Sequence, residues 1–461
     1  MPLKTRIIPM VSLPYPEYFP YDSFKAEIAS PERLIDTLFH GLKLSSARSF
    51  FRHSDPKTAH LAIPKNDLSH PLSTRIDIAT TGLQALADFL LEFTFDHMLQ
   101  GQLAYDRDHA DILLTCGSTD AFLKILGLIG SPGDNMLVEE FCYINAVQQA
   151  QPFGIGTAPV KDERKGCRPH FMYTVSIGQN PTGATIKNQR RKEIHGLCEK
   201  HDVIIVENGP YWHLQCTESS HQLSKDEKYL FLAALELIYL TIYLTIDRSG
   251  RITTQKLFIG TLIAATEGST QQPSEFVQSM VAELLCRSWG MDGWHMCSIF
   301  EEGRETIIAN SGGDDTEVVL KQQLYSFTKL DEGMFVWVRL NITSYPAYKE
   351  FIARGNNKVG MMMKLWDWGA IPQRCPSSPG GVFAGRVQYQ DAADEFFRFF
   401  FAAIKLEEVQ DATRCWVLGV KAFWGLKAWK LEKIGQDEIS ICVAWRPEKL
   451  EGGFGGFQDG K

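Results

Sequence analysis

Residues 171–212, FMYTVSIGQNPTGATIKNQRRKEIHGLCEKHDVIIVENGPYW, decide the fold class of this chain. The apolar run at 171–177 predicts a strand, and GQNPTG at 178–183 predicts a loop because it combines glycine, asparagine and proline. An amphipathic helix is predicted over 187–201, and a second buried strand runs from 202 into a Gly-Pro turn. A strand, a helix and a strand in this order indicate a right-handed crossover between parallel strands.

The same alternation is present upstream. The segment ILLTCGSTDAFLKILGLIG (112–130) predicts a strand, a turn and an apolar helix, and MLVEE (136–140) predicts the next strand. We therefore predict an α/β fold with a mainly parallel sheet in a large domain. In such sheets the ligand crevice lies beyond the carboxyl ends of the strands. Three loops leave those ends and mark the expected site: GSTD (117–120), GQNPTG (178–183) and ENGPYW (207–212).

The sequence after residue 310 predicts a smaller α+β domain. Strands are expected at 333–340 and 395–404, a turn-rich segment at 378–385 and a helix at 407–427. The first 30 residues, rich in proline and aromatic residues, predict an extended arm, and residues 45–80 predict a long irregular surface loop. The predicted parts are an N-terminal arm with part of the small domain (1–45), a large domain (80–310), a small C-terminal domain (311–430) and a divergent tail (431–461).

Composition excludes several classes of protein. The chain has 461 residues, 44% hydrophobic and 22% charged, which excludes a largely disordered protein. A net charge of -8 without a basic cluster argues against nucleic acid as a partner. The 10 cysteines form no CxxC pair, and the start lacks a signal-peptide pattern, so we expect a reducing, cytoplasmic location.

Membrane and metal binding are also not expected. The apolar stretch 229–246 approaches the length of a membrane span, but Glu236 and two threonines interrupt it, so a buried helix followed by a strand is preferred. His213 and Cys216 form an HxxC pair, but no second pair of ligands lies at metal spacing. We therefore predict no membrane segment and no metal site.

Three runs carry a family resemblance: TCGSTDAFLKILGLIGSPGDNMLVEEFCY (115–143), SIGQNPTGATIKNQRRKEIHGLCEKHDVIIVENGPYW (176–212) and FFRFFFAAI (396–404). In order and spacing they resemble the class I/II aminotransferases of pyridoxal 5'-phosphate (PLP) fold type I. The likeness is closest to the fungal aromatic and kynurenine/aminoadipate aminotransferase branch, over roughly residues 10–430. It implies PLP as cofactor, amino-group transfer from an aromatic or related L-amino acid to a 2-oxo acid, and a homodimer.

The resemblance also implies roles for residues that would bind PLP. Ser118 and Thr119 are expected to bind its phosphate, although either could simply cap a helix. Tyr143 is expected to stack on the pyridine ring, the alternative being a core tyrosine. Asn180 and Tyr211 are expected to bind the 3-oxygen of the ring, and Asn180 could instead be an ordinary turn asparagine.

Arg398 is implied to bind the substrate carboxylate. It is a single charge among five phenylalanines, which is costly unless it is paired, and a carboxylate is the natural bidentate partner of a guanidinium. The alternative is an arginine on the outward face of an edge strand.

Two positions depart from the family pattern. Asn208 stands where the family has an aspartate that faces the pyridine nitrogen, and an amide cannot supply that negative charge. The segment that carries the Schiff-base lysine in the family is missing between Arg251 and Ile252. Lys256, in TTQK, is either a displaced catalytic substitute or a surface lysine.

We therefore predict a PLP-dependent aminotransferase. The alternative is a catalytically impaired relative, or the product of an altered gene model, that keeps the fold and acts as a binding or scaffold protein. The sequence leaves open the amino donor, the acceptor and the pathway, and it assigns no purpose to the segment after residue 430.

Overall fold

The computed structural model describes residues 23–29, 58–64, 82–95, 110–159, 169–211, 239–244, 250–271, 273–289, 318–319, 322–328, 333–370, 377–401 and 406–431. Its strands, in chain order, are β1 (Ser23–Ala29), β2 (Thr58–Pro64), β3 (Ala110–Thr115), β4 (Asn135–Val138), β5 (Gly156–Pro159), β6 (Phe171–Thr174), β7 (Ile204–Asn208), β8 (Tyr239–Leu244), β9 (Gly250–Gln255), β10 (Val318–Val319), β11 (Gln322–Gln323), β12 (Tyr325–Phe327), β13 (Phe335–Leu340), β14 (Ser377–Pro379) and β15 (Phe396–Phe400).

Helices alternate with these strands through most of the chain. In chain order they are α1 (Gln84–Phe93), α2 (Ser118–Ile129), α3 (Ile144–Ala150), α4 (Asn188–His201), α5 (Lys256–Glu267), α6 (Glu275–Ala282), α7 (Tyr348–Ala353), α8 (Lys358–Leu365), α9 (Gln390–Ala393), α10 (Leu406–Trp424) and α11 (Ala428–Leu431).

The larger sheet is mainly parallel, as the sequence predicts. Its strand order is β3-β9-β8-β7-β6-β4-β5. The pairs β4–β5, β4–β6, β6–β7 and β7–β8 are parallel, while β9 runs antiparallel to both of its neighbours. This is an α/β fold, and the carboxyl ends of β4, β6 and β7 therefore lie at one edge of the sheet.

Burial explains why the central strands read as continuous apolar runs. All four residues of β6 are buried, as are four of the five in β7, because helices cover both faces of a parallel sheet. Ile125 and Leu126 of α2 are fully buried and belong to one core cluster with Phe171 and Val206 of the sheet. This cluster fixes α2 against the strands whose ends form the site.

The smaller sheet is antiparallel, with the order β12-β13-β15-β14. Helix α10 covers it: Trp416 packs edge-on against Phe399 at 4.8 Å between ring centroids and against Tyr325 at 5.4 Å. The predicted strands at 333–340 and 395–404 and the predicted helix at 407–427 correspond to β13, β15 and α10.

Two local predictions need correction. Residues 45–80 are not wholly irregular, because β2 lies within them and pairs antiparallel with β1. Strand β9 was not expected either, since its sequence GRITTQ is polar, yet it lies inside the sheet between the edge strand β3 and β8. Most of the N-terminal arm, the first part of the apolar stretch 229–246 and the tail after residue 431 lie outside the described residues.

Within the described residues, no helix has the length and apolar character needed to cross a membrane. The later part of the apolar stretch forms β8 instead, which pairs with β7 and β9 inside the sheet.

Candidate active site

The predicted site loops do leave the same edge of the sheet. In the parallel pair β6–β7, Thr174 is level with Glu207, so the loops that begin after these residues start side by side. Strand β4 pairs in parallel with β6 and leads to Tyr143. The third loop follows β3 and contains Gly117, which has a positive φ of 97° and precedes the first turn of α2.

Ser118 and Thr119 occupy the first two positions of α2. The N-cap is Gly117, and no side chain caps the helix, so neither residue plays the simple capping role considered above. Ser118 is half-buried and Thr119 is exposed. Backbone N–H groups at the start of a helix together with two hydroxyls suit a phosphate group.

Asp120 and Lys124 support this helix start. Asp120 accepts a hydrogen bond from the backbone N–H of Cys116 at 2.9 Å, which ties the loop to the first turn. The ammonium of Lys124 is 5% exposed and donates to Asp120 and to Thr270 Oγ1, the latter at 3.0 Å. These contacts hold the loop before α2 in place without using Ser118 or Thr119.

The loop 178–183 is held in one conformation by Gln179. Its Nε2 donates to the Phe141 carbonyl at 2.6 Å, and its Oε1 accepts from the N–H and hydroxyl of Thr182. The Asn180–Pro181 peptide bond is cis. Gly178, with φ 56°, packs so closely against Gly333 that an added Cβ would lie 2.6 Å from the Gly333 Cα. Asn180 is thereby buried and faces the smaller sheet.

Arg398 reaches Asn180 from that sheet. Its Nη1 donates to Asn180 Oδ1 at 2.9 Å, and its guanidinium lies 4.7 Å from the ring centroid of Phe335 and 4.6 Å from that of Phe383. Arg398 is on β15, between β13 and β14, so the alternative of an edge-strand arginine is wrong. Its buried Nε has no hydrogen-bond partner among the described residues.

Tyr211 and Tyr143 lie in the same cluster. Burial raises the pKa of the Tyr211 phenol, a hydrogen bond with Asn180 lowers it, and the proximity of Tyr143 and Arg398 adds smaller opposing effects. Tyr211 also packs edge-on against Phe335 at 5.4 Å. The Tyr143 hydroxyl accepts a hydrogen bond from Asn145 Nδ2 at 2.8 Å. The structure thus brings Tyr143, Asn180, Tyr211 and Arg398 together from distant parts of the sequence.

Asn208 ends β7 and is 6% exposed. Its Nδ2 donates to the Tyr173 hydroxyl at 2.9 Å, whereas its buried Oδ1 has no partner among the described residues. Burial raises the pKa of the Tyr173 phenol well above its usual value. The hydrogen bond from Asn208 lowers this pKa by a smaller amount, and the nearby Glu139, Cys142 and Tyr211 raise it further. The Tyr173 ring contacts Phe122 of α2 at 4.9 Å, which connects Asn208 to the helix that begins with Ser118 and Thr119.

Sequence reasoning missed Tyr173 and Glu139. Glu139 follows β4, accepts a hydrogen bond from Thr174 Oγ1 at 2.6 Å, and leaves its buried Oε2 without a described partner. Burial raises the pKa of this carboxyl to about 7. The sequence did contain one indication of Tyr173, because it places a tyrosine inside a strand that is predicted to be buried. A buried phenol usually has a hydrogen-bond partner, so a polar neighbour could have been expected there.

Lys256 does not lie at this edge of the sheet. Strand β9 is antiparallel to β3, with Gly250 opposite Thr115 and Gln255 opposite Ala110. Lys256 therefore follows the far end of β9, roughly 17 Å from the site edge at about 3.4 Å per residue. It is exposed at the start of α5, so of the two alternatives the displaced catalytic lysine is wrong and the surface lysine fits.

The missing segment leaves no gap in the fold. Arg251 and Ile252 are consecutive residues of β9, both buried, and pair with Tyr243 and Ile242 of β8. The sheet is thus continuous where the family carries its lysine-bearing segment. No lysine of the described residues donates a hydrogen bond to Asn180, Asn208 or Tyr211.

The described residues fit PLP as a bound ligand, and none of the lysines among them is placed to attach it covalently. Asn208 Oδ1 and Arg398 Nε are buried polar atoms without described partners, and a ring N–H and a substrate carboxylate are groups that would satisfy them. Among the described residues no cluster of side chains suits a metal ion, and His213 and Cys216 lie outside them.

Comparisons with known proteins identify relatives. No family model matches the chain. It is 30% identical over 288 residues to the L-tyrosine:2-oxoglutarate aminotransferase amt1 of Serpula lacrymans, a match that spans 52% of this chain and 53% of that protein. It is 25% identical over 438 residues to an aromatic amino acid aminotransferase of Schizosaccharomyces pombe, covering 86% and 87% of the two chains.

A solved structure shares the fold. The crystal structure of the aminotransferase Aro8 from Candida albicans superposes with a TM-score of 0.73 at 24% identity, covering 92% of this chain and 94% of the other. The match to the Serpula relative spans only about half of that relative's length. The structural likeness shows the fold of the chain.

Proposed function

Because this chain is a relative of the class I/II aminotransferases of PLP fold type I, in the fungal aromatic and kynurenine/aminoadipate branch, we propose that it transfers an amino group from an aromatic or related L-amino acid to a 2-oxo acid. The observation that carries the proposal is the cluster of Asn180, Tyr211 and Arg398, in which the large and small sheets contribute to one site. The named activities of its relatives support the same reaction.

Arg398 would bind the α-carboxylate of the substrate. Its guanidinium is fixed by Asn180 and packed between Phe335 and Phe383, which orients it and partly excludes water. Burial lowers the pKa of Arg398, yet arginine stays protonated at physiological pH. The surrounding aromatic rings supply an apolar surface for an aromatic side chain.

The PLP-holding groups would be divided among three loops. The N-terminus of α2, with Ser118 and Thr119, would hold the phosphate; Tyr143 would stack on the ring; Asn180 and Tyr211 would bind its 3-oxygen. When bound, PLP would supply an electron sink for carbanion chemistry. The protein's share is to bind and orient both ligands and to exclude water.

The alternative, an impaired relative that binds the cofactor without turning it over, is favoured by one observation. Strand β9 is continuous across Arg251 and Ile252, and Lys256 lies at the opposite edge of the sheet. The names of the relatives favour the first proposal. Both remain PLP-binding proteins, and they differ in turnover.

The deciding experiment measures binding and turnover separately. Purified protein is titrated with PLP and with pyridoxamine 5'-phosphate, and transfer from L-tyrosine to 2-oxoglutarate is then assayed. For the Arg398→Gln variant we expect kcat/KM to fall at least 100-fold, while the affinity for the cofactor changes much less. This result would support the aminotransferase proposal. The matched control is Arg354→Gln, which removes an exposed arginine paired with Glu350.

Two outcomes would contradict the proposal. Cofactor binding without any transfer would establish the impaired relative instead. Failure of both cofactor forms to bind would exclude the aminotransferase and leave only a scaffold role. Borohydride reduction followed by peptide mapping adds a direct readout, because it identifies any lysine that attaches to PLP.

We also propose a cytoplasmic homodimer. The family resemblance supports the dimer, and the cysteines of the described residues are free thiols, as expected in a reducing compartment. Light scattering after size exclusion, with and without cofactor, measures the mass, and a monomer at micromolar concentration would contradict the dimer.

A further inference from the structure

Three neighbouring strands of the smaller sheet place three polar side chains in one row. Arg398 of β15 is level with Trp337 of β13 on one side and with Ser378 of β14 on the other. Residues that are level in neighbouring strands point to the same face of a sheet. The row therefore lies on the face from which Arg398 reaches Asn180.

The guanidinium of Arg398 is held in place but keeps unused hydrogens. Its Nη1 donates to Asn180 Oδ1 at 2.9 Å, and its Nη2 donates to Ser378 Oγ at 3.4 Å. The rings of Phe335 and Phe383 lie 4.7 Å and 4.6 Å from it. The Nε is buried and has no partner in the described parts of the chain. A guanidinium has more N–H groups than these two bonds use, so it can still bind an acceptor in a fixed orientation.

Ser378 also has an unused hydrogen. A serine hydroxyl can accept and donate at the same time, and this one accepts from Arg398 while its own hydrogen has no acceptor among the described residues. On the other side of Arg398, the buried Nε1 of Trp337 lacks a partner within the same set of residues. Each side chain of the row therefore carries a donor that is still to be satisfied.

Strand β14 fixes where the Ser378 hydroxyl lies. The indole Nε1 of Trp366 donates to the carbonyl of Ser377 at 3.1 Å, which ties the start of the strand to the helical segment beside it. Pairing with β15 then sets Ser378 level with Arg398. The hydroxyl is thus held by backbone contacts next to the guanidinium, and it does not depend on a flexible loop.

A row of unused donors defines the chemistry of its ligand. An ionised carboxylate only accepts hydrogen bonds, through two oxygens, so it can satisfy several donors at once. Bonds to its negative charge are stronger than neutral ones, and they would remove the cost of leaving buried donors without partners. The geometry therefore fits one carboxylate shared between Arg398 and its neighbour on β14.

We propose that Ser378 completes the subsite for the substrate α-carboxylate, accepting a hydrogen bond from Arg398 Nη2 and donating its own hydrogen to a carboxylate oxygen. This inference rests on the proposed function for the identity of the substrate. Ser378 is then a second substrate-binding residue, supplied by a strand next to that of Arg398. Because an amino acid and a 2-oxo acid both carry this carboxylate, Ser378 serves both halves of the reaction.

The test compares two ligands that differ only in the carboxylate. N-(5'-phosphopyridoxyl)-L-tyrosine and N-(5'-phosphopyridoxyl)tyramine are titrated calorimetrically into the full chain. Both carry the cofactor ring and phosphate already joined to the substrate side chain, so neither needs a lysine for attachment. We expect the wild-type chain to bind the carboxylate conjugate at least about 100-fold more tightly, since a guanidinium and a hydroxyl both bond the charge.

Two variants of matched shape isolate the hydroxyl. Ser378→Val and Ser378→Thr both suit a strand and differ only by a methyl in place of a hydroxyl. Ser378→Val should reduce the preference for the carboxylate conjugate about tenfold, the effect of one hydrogen bond to a charged group, while Ser378→Thr should stay within about threefold of the wild type. Thr343→Ala is the control, because it removes an exposed hydroxyl of the same sheet's surroundings that bonds Asn341 Oδ1.

The outcomes separate this inference from the proposed function. An unchanged preference in Ser378→Val, an equal loss in Ser378→Thr, or equal weakening of both conjugates by Ser378→Val would overturn the role of the Ser378 hydroxyl. Each of these results leaves cofactor binding and the role of Arg398 intact. Failure of the wild-type chain to bind either conjugate would instead refute the proposed function.

Discussion

Glu139 is a carboxyl group whose environment favours its neutral form. Its Oε2 is buried without a described partner, and only the Thr174 hydroxyl and nearby backbone groups compensate for burial. The pKa rises from its ordinary value of 4.5 to about 7. The phenol of Tyr173 and the thiol of Cys142 lie within its electrostatic reach, and neither carries a positive charge.

The raised pKa predicts a pH-dependent stability. The folded chain binds this proton more tightly than the unfolded chain does, so the free energy of unfolding falls as pH rises from 4.5 through 7. At about 1.4 kcal/mol per pKa unit, the penalty above pH 7 is roughly 3–4 kcal/mol. Glu139→Gln should therefore unfold at higher denaturant than the wild type at pH 8, with a gain that shrinks towards pH 5.

Denaturant unfolding at pH 5, 6, 7 and 8 measures this difference. Glu350→Gln is the control, because it removes only an exposed ion pair with Arg354 and should change stability by less than about 1 kcal/mol. If Glu139→Gln is equally or less stable than the wild type at pH 8, the carboxyl is not held neutral.

At the level of elements, the contact between Gly178 and Gly333 joins the loop after β6 to the start of β13. Both have positive φ, 56° and 83°, and each would place an added Cβ within 2.7 Å of the other's Cα. The smaller sheet carries Arg398 and the loop carries Asn180, so this close approach sets the distance across which their hydrogen bond forms.

Gly178→Ala should therefore damage both stability and the site. The positive φ costs about 1–2 kcal/mol in an L-residue, and the backbone clash adds to that cost, so a total loss of about 2–4 kcal/mol is expected. Gly355→Ala is a matched control, because Gly355 has φ 85° but open space around its Cβ position. Equal losses in the two variants, measured by denaturant unfolding, would show that the contact with Gly333 adds nothing.

The elements nearest the site could be predicted because their signals are local. Strands β6 and β7 are apolar runs bounded by turn residues, and α2 and α4 follow typical loop-to-helix transitions. Strand β9 could not be predicted, because GRITTQ is polar and its burial depends on the neighbours β3 and β8. Strand β2 was missed for the same reason: its partner β1 lies far away in sequence.

The candidate site, too, could be predicted from local motifs only in part, because some of its contacts are made by residues far apart in sequence. The family resemblance implied Tyr143, Asn180, Tyr211 and Arg398, and its motifs could be recognised because each lies in a characteristic loop or strand. The partners of Asn208 and Arg398 are non-local, and no sequence pattern shows that Tyr173 binds the amide or that Asn180 binds the guanidinium. For Lys256 the sequence left two alternatives open, and the antiparallel direction of β9 excludes the catalytic one.

At the scale of the whole molecule, two lysines lie at different distances from the candidate site. Lys124 lies on α2 behind the loop 116–117 and pairs with Asp120, whereas Lys256 begins α5 beyond the far end of β9. Helix α5 packs on α2, but it is Thr270, just after the other end of α5, that contacts Lys124.

This separation predicts opposite results for two lysine substitutions. Lys256→Ala should leave the affinity for pyridoxamine 5'-phosphate within about twofold of the wild type, because an exposed side chain roughly 17 Å from the site edge makes no contact with the ligand. Lys124→Met should weaken binding about tenfold, since Asp120 would lose its counter-ion beside the phosphate loop and repel the anion. Calorimetric titration of both variants checks this, and loss of binding in Lys256→Ala would mean that β9 runs differently from the register that places Gln255 beside Ala110.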